Sequence, residues 1–149
     1  RTGFVLDANE NIEARWQSVR DRLNNANIEL PDQPPHEGTV VPGFLPESRV
    51  GVWLMPNNTD PGSLEQFLAG LIPGDDACWP HADESTRKAQ QLGARFPAND
   101  YLKARLHTWL AWQECPGLPF GSAINARFLQ PDRPAANAFV DWFRRLFLE

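Results

Sequence analysis

Two short apolar runs, each closing on polar groups and each followed by a segment of helical periodicity, organise the first half of the chain. Gly3 to Leu6 reads as a strand that ends on Asp7. Ile12, Trp16, Val19 and Leu23 then recur at helical spacing, with Glu13, Arg15, Arg20 and Asp21 between them, which predicts an amphipathic helix. Asn9 or Asn11 is its candidate N-cap, and "LNNAN" at 23–27 is its candidate end. Val50 to Met55 is a nearly continuous apolar run, as expected of a strand covered on both faces, and it closes on Asn57 and Asn58. Strand, helix, strand predicts a βαβ unit with a parallel pair. Both polar ends then sit at the same carboxyl edge of one sheet, where α/β folds place their sites.

Between the two runs, prolines cluster from Pro31 to Pro46 and exclude a helix, so Thr39-Val40-Val41 is at most a short edge strand. After the second run, Ser63 and Gln66 form a capping-box pattern. Leu64, Phe67, Leu68, Leu71 and Ile72 make the buried face of that helix, Pro73-Gly74 ends it, and Glu65 falls in its first turn. The remainder reads as helical: a polar stretch at 83–95, a firmer helix marked by Leu102, Leu106, Trp109, Leu110 and Gln113, and a last, strongly amphipathic helix through Phe139, Val140, Phe143, Leu146 and Phe147. Ala123 to Phe128 reads as a short strand or one helical turn. The expected class is α/β, a small mostly parallel sheet flanked by helices with a helical C-terminal part. A length of 149 residues suits one domain over 1–149.

Six Trp and nine Phe against one Met and one Tyr make the expected core aromatic, with Trp53, Trp109, Trp112 and Trp142 as core material, one of them allowed an exposed place for a partner. The net charge of −5 and the lack of any basic run argue against nucleic-acid binding through a basic patch. No apolar run approaches the ~20 residues that span a bilayer, and no signal peptide is visible. With only Cys78 and Cys115 and no pairing pattern, a reduced, cytoplasmic setting is expected. Cys78 and His81 have Cys-x-x-His spacing but lack a second pair, so zinc is not expected. His107 reads as structural. No Ser-His-Asp or Cys-His set, P-loop or Gly-rich dinucleotide motif is present.

Three blocks, "VLDANENIEARW", "RVGVWLMPNNTDPGSLEQFL" and "LPFGSAINARFL" with "FVDWFRRLF", resemble a bacterial family of small Toprim-like proteins of unknown function. That family is distantly related to the nuclease half of OLD-type ATPase-nucleases. The resemblance implies a parallel α/β domain that holds Mg²⁺ or Mn²⁺ on carboxylates for phosphodiester chemistry. Carried over by position, it makes Asp7 and Glu65 the catalytic carboxylates and Asp7, Asn9, Asn57 and Glu65 the metal-holding set. Asn9 and Asn57 are amides where carboxylates would hold metal better, so weak binding is expected. The first strand of such a domain, with its glutamate, would lie upstream of Arg1, and the resemblance therefore implies an incomplete module. It also implies a partner such as an ATPase, in defence against phage.

Each of these residues also has a plain reading. Asp7 and Glu65 suit a helix start, where the macrodipole favours acids. Asn9 suits an N-cap. Asn57, Asn58 and Asp60 suit the turn into the second helix. The expected functions are a degenerate or incomplete metal-dependent nuclease-type module, or a non-catalytic module that partners an ATPase or forms a homo-oligomer such as a homodimer. A small-ligand binder at the strand ends is the third.

Overall fold

A computed structural model describes residues 1–149. The chain divides into two compact units, residues 1–67 with 132–149, and residues 68–131. The first unit holds strands β1 (Thr2–Asp7), β2 (Thr39–Pro42) and β3 (Arg49–Met55), with helices α1 (Ile12–Asn24) and α6 (Pro134–Phe147). The second holds α3 (Cys78–Gln91), α4 (Tyr101–Leu110) and α5 (Phe120–Asn125), and α2 (Leu64–Ala69) spans the division between them.

The sheet order is β1-β3-β2. β1 and β3 pair in parallel, Gly3 opposite Gly51 and Asp7 opposite Met55, so the predicted βαβ unit forms with its strands as direct neighbours. The sheet is nevertheless mixed, because β2 pairs antiparallel to β3, Thr39 opposite Val52. The turn between β2 and β3 is too short for a crossover and permits only the antiparallel partner. Gly43 N–H closes that turn on the Ser48 carbonyl at 2.9 Å. Pro42 ends β2 on the outer edge, where no ladder hydrogen bond is asked of it.

Side chains alternate across this sheet with period two, and each face takes one helix. On one face Ala8, Val52 and Leu54 pack with Trp16 and Val19 of α1 and with Leu30, while Leu6, Ile12, Leu23 and Val41 close the rim. Asn11 is the N-cap of α1, its Oδ1 accepting from Ala14 N–H at 2.9 Å, which decides between the two candidate caps. Trp16 Nε1 donates to the Pro31 carbonyl at 3.1 Å and so ties the proline-rich segment to that helix.

On the other face α6 lays Trp142 and Leu146 over the sheet. Trp53, Phe139 and Trp142 form an aromatic cluster, with centroids 5.4 Å apart for Trp53 and Phe139 and 5.8 Å for Trp53 and Trp142. Trp142 Nε1 donates to the Thr39 carbonyl at 2.9 Å, so the buried indole has a partner. Two glycines make room for this helix. A Cβ on Gly51 would lie 2.6 Å from Leu146 Cδ2, and one on Gly38, where φ is +79°, would lie 2.5 Å from Trp142 Cδ1.

In the second unit α3 begins at Cys78, earlier than the periodicity indicates. Asp76 Oδ1 accepts from the N–H groups of Cys78 and Trp79 at 2.8 and 3.0 Å. Pro80 falls in the first turn, where its missing N–H is no loss. The helix ends at Gln91 rather than 95 because Gly93, at φ +93°, reverses the chain and bonds back to Gln90. The stretch from Ala123 belongs to α5 and its closing turn, so the helical alternative holds there. Trp109 is buried, whereas Trp112 is 42% exposed and stacks on His81. No helix is long and apolar enough to cross a membrane.

Candidate functional site

The carboxyl end of the β1–β3 pair gathers the residues singled out from the sequence. β1 runs out at Asp7, and Ala8 N–H continues the ladder to the Met55 carbonyl at 3.0 Å. Asn9 follows in the left-handed region, φ 58°, which asparagine tolerates better than most residues. Its backbone exchanges two 2.8 Å hydrogen bonds with Gly62, and so fastens the end of β1 to the segment that leads into α2. Asn9 is therefore a backbone clasp and not the N-cap of α1.

Asp7 is half-buried, and its Oδ1 accepts from the Leu64 N–H at 2.9 Å. A carboxylate from the strand end thus satisfies one of the donors that α2 leaves free at its start. Its position beside Glu65 follows from this bond, since Leu64 and Glu65 are consecutive. Glu65 Oε2 accepts from Ser63 Oγ at 2.7 Å, and Gln66 Oε1 accepts from Ser63 N–H at 2.8 Å, which completes the reach-back half of the capping box.

Asn57 is spent on its own turn. Its Oδ1 accepts from Thr59 N–H, Thr59 Oγ1 and Asp60 N–H at 3.1, 3.0 and 2.9 Å, while its Nδ2 donates to Asp60 Oδ2 at 2.7 Å. Asn58 is buried and bridges two elements: its Oδ1 accepts from Leu54 N–H at 2.7 Å and its Nδ2 donates to the His36 carbonyl at 3.2 Å. The turn reading of Asn57, Asn58 and Asp60 describes this segment.

As donors for a hard divalent ion, these four residues have part of their hydrogen-bonding capacity engaged within the fold. Mg²⁺ and Mn²⁺ ask for several oxygens with free lone pairs, most of them anionic. Asn57 Oδ1 already accepts three hydrogen bonds, and the Asn9 backbone is bonded to Gly62. One oxygen each of Asp7 and Glu65 is engaged. Nowhere in the chain do three or more His, Cys, Asp or Glu stand close enough to share an ion. Cys78 and Cys115 are free and exposed, and His81 Nδ1 lies 3.3 Å from Glu84 Oε2. Two open depressions of the surface lie elsewhere. One of about 800 Å³ lies between Arg1 and the Pro42–Arg49 turn, and one of about 230 Å³ lies beside Ile12, Gln33 and Thr59. Neither is lined by Asp7 or Glu65.

The second unit contains a polar cluster that sequence reading did not single out. The Arg105 guanidinium lies 3.5 Å over the Trp79 ring, donates to the Trp79 carbonyl at 3.0 Å and stands 3.4 Å from Asp83 Oδ1. Asp83 also accepts from Arg87 and, at 2.9 Å, from the Tyr101 hydroxyl. Trp79, Asp83 and Arg87 recur every four residues on α3, and that spacing was the available signal. The cluster clasps α3 to α4.

Burial, and then the Asp83 carboxylate beside it, raise the Tyr101 phenol above its ordinary value of 10.0. Folding therefore favours the neutral phenol, and the stability it contributes is complete below the unfolded value near 10 and is lost as pH rises through the folded value. Tyr101 is the only tyrosine, so absorbance at 295 nm reads it alone. The expected midpoint lies above 10 and falls in Asp83→Asn; a midpoint at or below 10 in the unaltered folded chain contradicts the clasp.

A parallel βαβ core, joined by an antiparallel edge strand and closed at its carboxyl end by side-chain caps, defines a mixed α/β module. The chain belongs to the family described as protein of unknown function DUF3226, which it matches over residues 1–148. That description names neither a Toprim domain nor a nuclease. No curated protein and no solved structure matches the chain.

Proposed function

We propose that this chain is a Toprim-like module whose metal corner has been given over to holding the fold. Alone it binds Mg²⁺ or Mn²⁺ weakly and turns over little or no phosphodiester. The observation that carries this reading is the Asp7 carboxylate bonded to the Leu64 N–H, one residue from Glu65, at the carboxyl end of a parallel strand pair. A strand-end acid beside a helix-start acid is the arrangement a metal-dependent phosphodiester enzyme would use. Here two carboxylates and two amides, that of Asn57 already engaged in its own turn, supply too little charge for two divalent ions, and an amide cannot act as a general base.

The test is calorimetric titration of Mg²⁺ and Mn²⁺ into the purified chain, with plasmid cleavage assayed beside it. The same assays are run on Asp7→Asn and on an Asn9→Asp, Asn57→Asp double variant. Millimolar or weaker binding without cleavage is expected, with tighter binding in the double variant. Metal-dependent cleavage by the unaltered chain, lost in Asp7→Asn, would overturn the reading.

The second reading is a non-catalytic interaction module, with an ATPase or another copy of the chain as partner. What favours it is apolar surface: Phe44 is 72% exposed, Leu45 65% and Leu148 74%.

A further inference from the structure

β1 is an edge strand with no partner strand on its outer side from Thr2 to Asp7; beyond it Asn9 is bridged to Gly62. The register with β3 runs unbroken from Thr2 to Asp7, and Ala8 N–H donates to Met55. In a parallel ladder successive residues turn their backbone groups to opposite sides. Thr2, Phe4 and Leu6 therefore serve β3, while Gly3, Val5 and Asp7 turn N–H and C=O outward. The side chains at this edge are apolar on both faces. Phe4 is 38% exposed on the α1 face and Val5 45% on the α6 face. On α6, Phe143 and Phe147 form a ring pair at 4.6 Å and remain 45% and 37% exposed. Phe147 lies against Gly3, 3.3 Å from where a Cβ would stand. An open strand edge of this kind is a template for another strand.

We propose that the occupant is β1 of a second copy, paired antiparallel about a two-fold axis through Phe4. In that register Arg1 faces Asp7, Thr2 faces Leu6, Gly3 faces Val5 and Phe4 faces itself. Outward-turned residues meet outward-turned residues, Gly3 with Val5 and Arg1 with Asp7, so free donors and acceptors coincide. A slip of one residue sets outward groups against inward ones and exchanges the two faces. The charges select the direction. Arg1 immediately precedes β1 and within one copy donates to the Glu47 carbonyl at 2.7 Å; antiparallel pairing sets it across from the Asp7 carboxylate twice, an anionic acceptor in exchange for that carbonyl. Parallel pairing in register would instead set Arg1 on Arg1 and Asp7 on Asp7. Asp7 keeps its second carboxylate oxygen for this contact, since the Leu64 N–H is bonded to Oδ1. Gly3 leaves space opposite the partner copy's Val5, and Phe4 meets its own copy as an aromatic cross-strand pair. The product is a closed, isologous dimer with one sheet of six strands, three from each copy. It does not depend on the metal reading.

The test uses the full 149-residue chain. Sedimentation equilibrium is expected to give twice 16.8 kDa at tens of micromolar and half that on dilution. Val5→Pro removes an N–H that the β1–β3 ladder does not use, and proline is tolerated on an edge strand. Its far-UV circular dichroism should be unchanged while dimer dissociation rises about 30-fold, from the two inter-copy hydrogen bonds lost. Amide exchange on the unaltered chain needs no variant: Val5 and Asp7 should gain protection with concentration, while Phe4 and Leu6 stay protected throughout. A monomer at every concentration overturns the proposal. So does a dimer whose Val5 and Asp7 amides exchange independently of concentration, because the second copy then sits on another face.

Discussion

Trp142→Ala is expected to lower unfolding free energy by about 3–5 kcal/mol, a large part of what holds a domain of this size folded. The indole is 1% exposed and packs against Trp53 and Phe139, and the spaces over Gly38 and Gly51 are shaped to it and to Leu146. Truncation leaves a cavity that cannot collapse, because β2, β3 and α6 are joined around it. It also orphans the Thr39 carbonyl from its side-chain partner. Trp142→Phe keeps much of the volume and loses the hydrogen bond, so about 1–2 kcal/mol is expected there. Urea denaturation followed by far-UV circular dichroism separates the two. Equal losses in both variants would mean that the hydrogen bond, not the packed volume, carries the energy.

Asn58→Ala is expected to cost about 2–3 kcal/mol. Asn58 is buried, and its side chain holds the Leu54 N–H, beyond the reach of β2, to the His36 carbonyl at the end of the proline-rich segment. Without the amide the buried Leu54 N–H is left unpartnered, the expensive way to lose a hydrogen bond. Asn58 also sits at φ 64°, where alanine adds strain that glycine does not. Asn58→Gly should therefore recover about 1 kcal/mol of the loss. A loss under about 0.5 kcal/mol in both variants would show that water replaces the amide at no cost.

These two residues also mark what was legible beforehand. The βαβ unit could be read because its apolar runs are continuous and its helix is periodic. The pairing of β1 with β3 and the faces they present follow from that pattern. The edge strand β2 was visible as Thr39 to Val41 between prolines. Its antiparallel direction, which makes the sheet mixed, depends on how short the chain is between Pro42 and Arg49. α3 runs from Cys78 to Gln91 rather than 83–95: its first turn, with Pro80 in it, carries little periodicity, and Gly93 ends a helix whose polar pattern runs on.

At the strand ends the residue types were legible and their use was not. Asp7 as a strand-end carboxylate, Glu65 as a helix-start acid and Asn57 as a turn residue all stand where the sequence puts them. Asn9 was read as a cap or a ligand, and its left-handed backbone, bridged to Gly62, has no signature in a single sequence. The bond from Asp7 to Leu64 joins residues 57 apart in the chain, beyond any local spacing rule. The cluster of Trp79, Asp83, Arg87, Tyr101 and Arg105 was missed for a related reason: Tyr101 and Arg105 lie on a different helix from the other three.

Metal-linked stability tests most directly whether Asp7 holds the fold rather than an ion. The unaltered chain, Asp7→Asn and Asp7→Ala are unfolded by urea with and without Mg²⁺ at about 1 mM, where a millimolar site adds no more than about 0.4 kcal/mol. If Asp7 works as a cap, Asp7→Ala loses about 1 kcal/mol, Asp7→Asn keeps an oxygen for the Leu64 N–H and loses less, and Mg²⁺ leaves the differences unchanged. A working ion site would instead stabilise the unaltered chain by about 2.7 kcal/mol at a hundredfold excess of metal over its dissociation constant. A Mg²⁺-dependent gain of that size in the unaltered chain, absent from Asp7→Asn, would contradict the account.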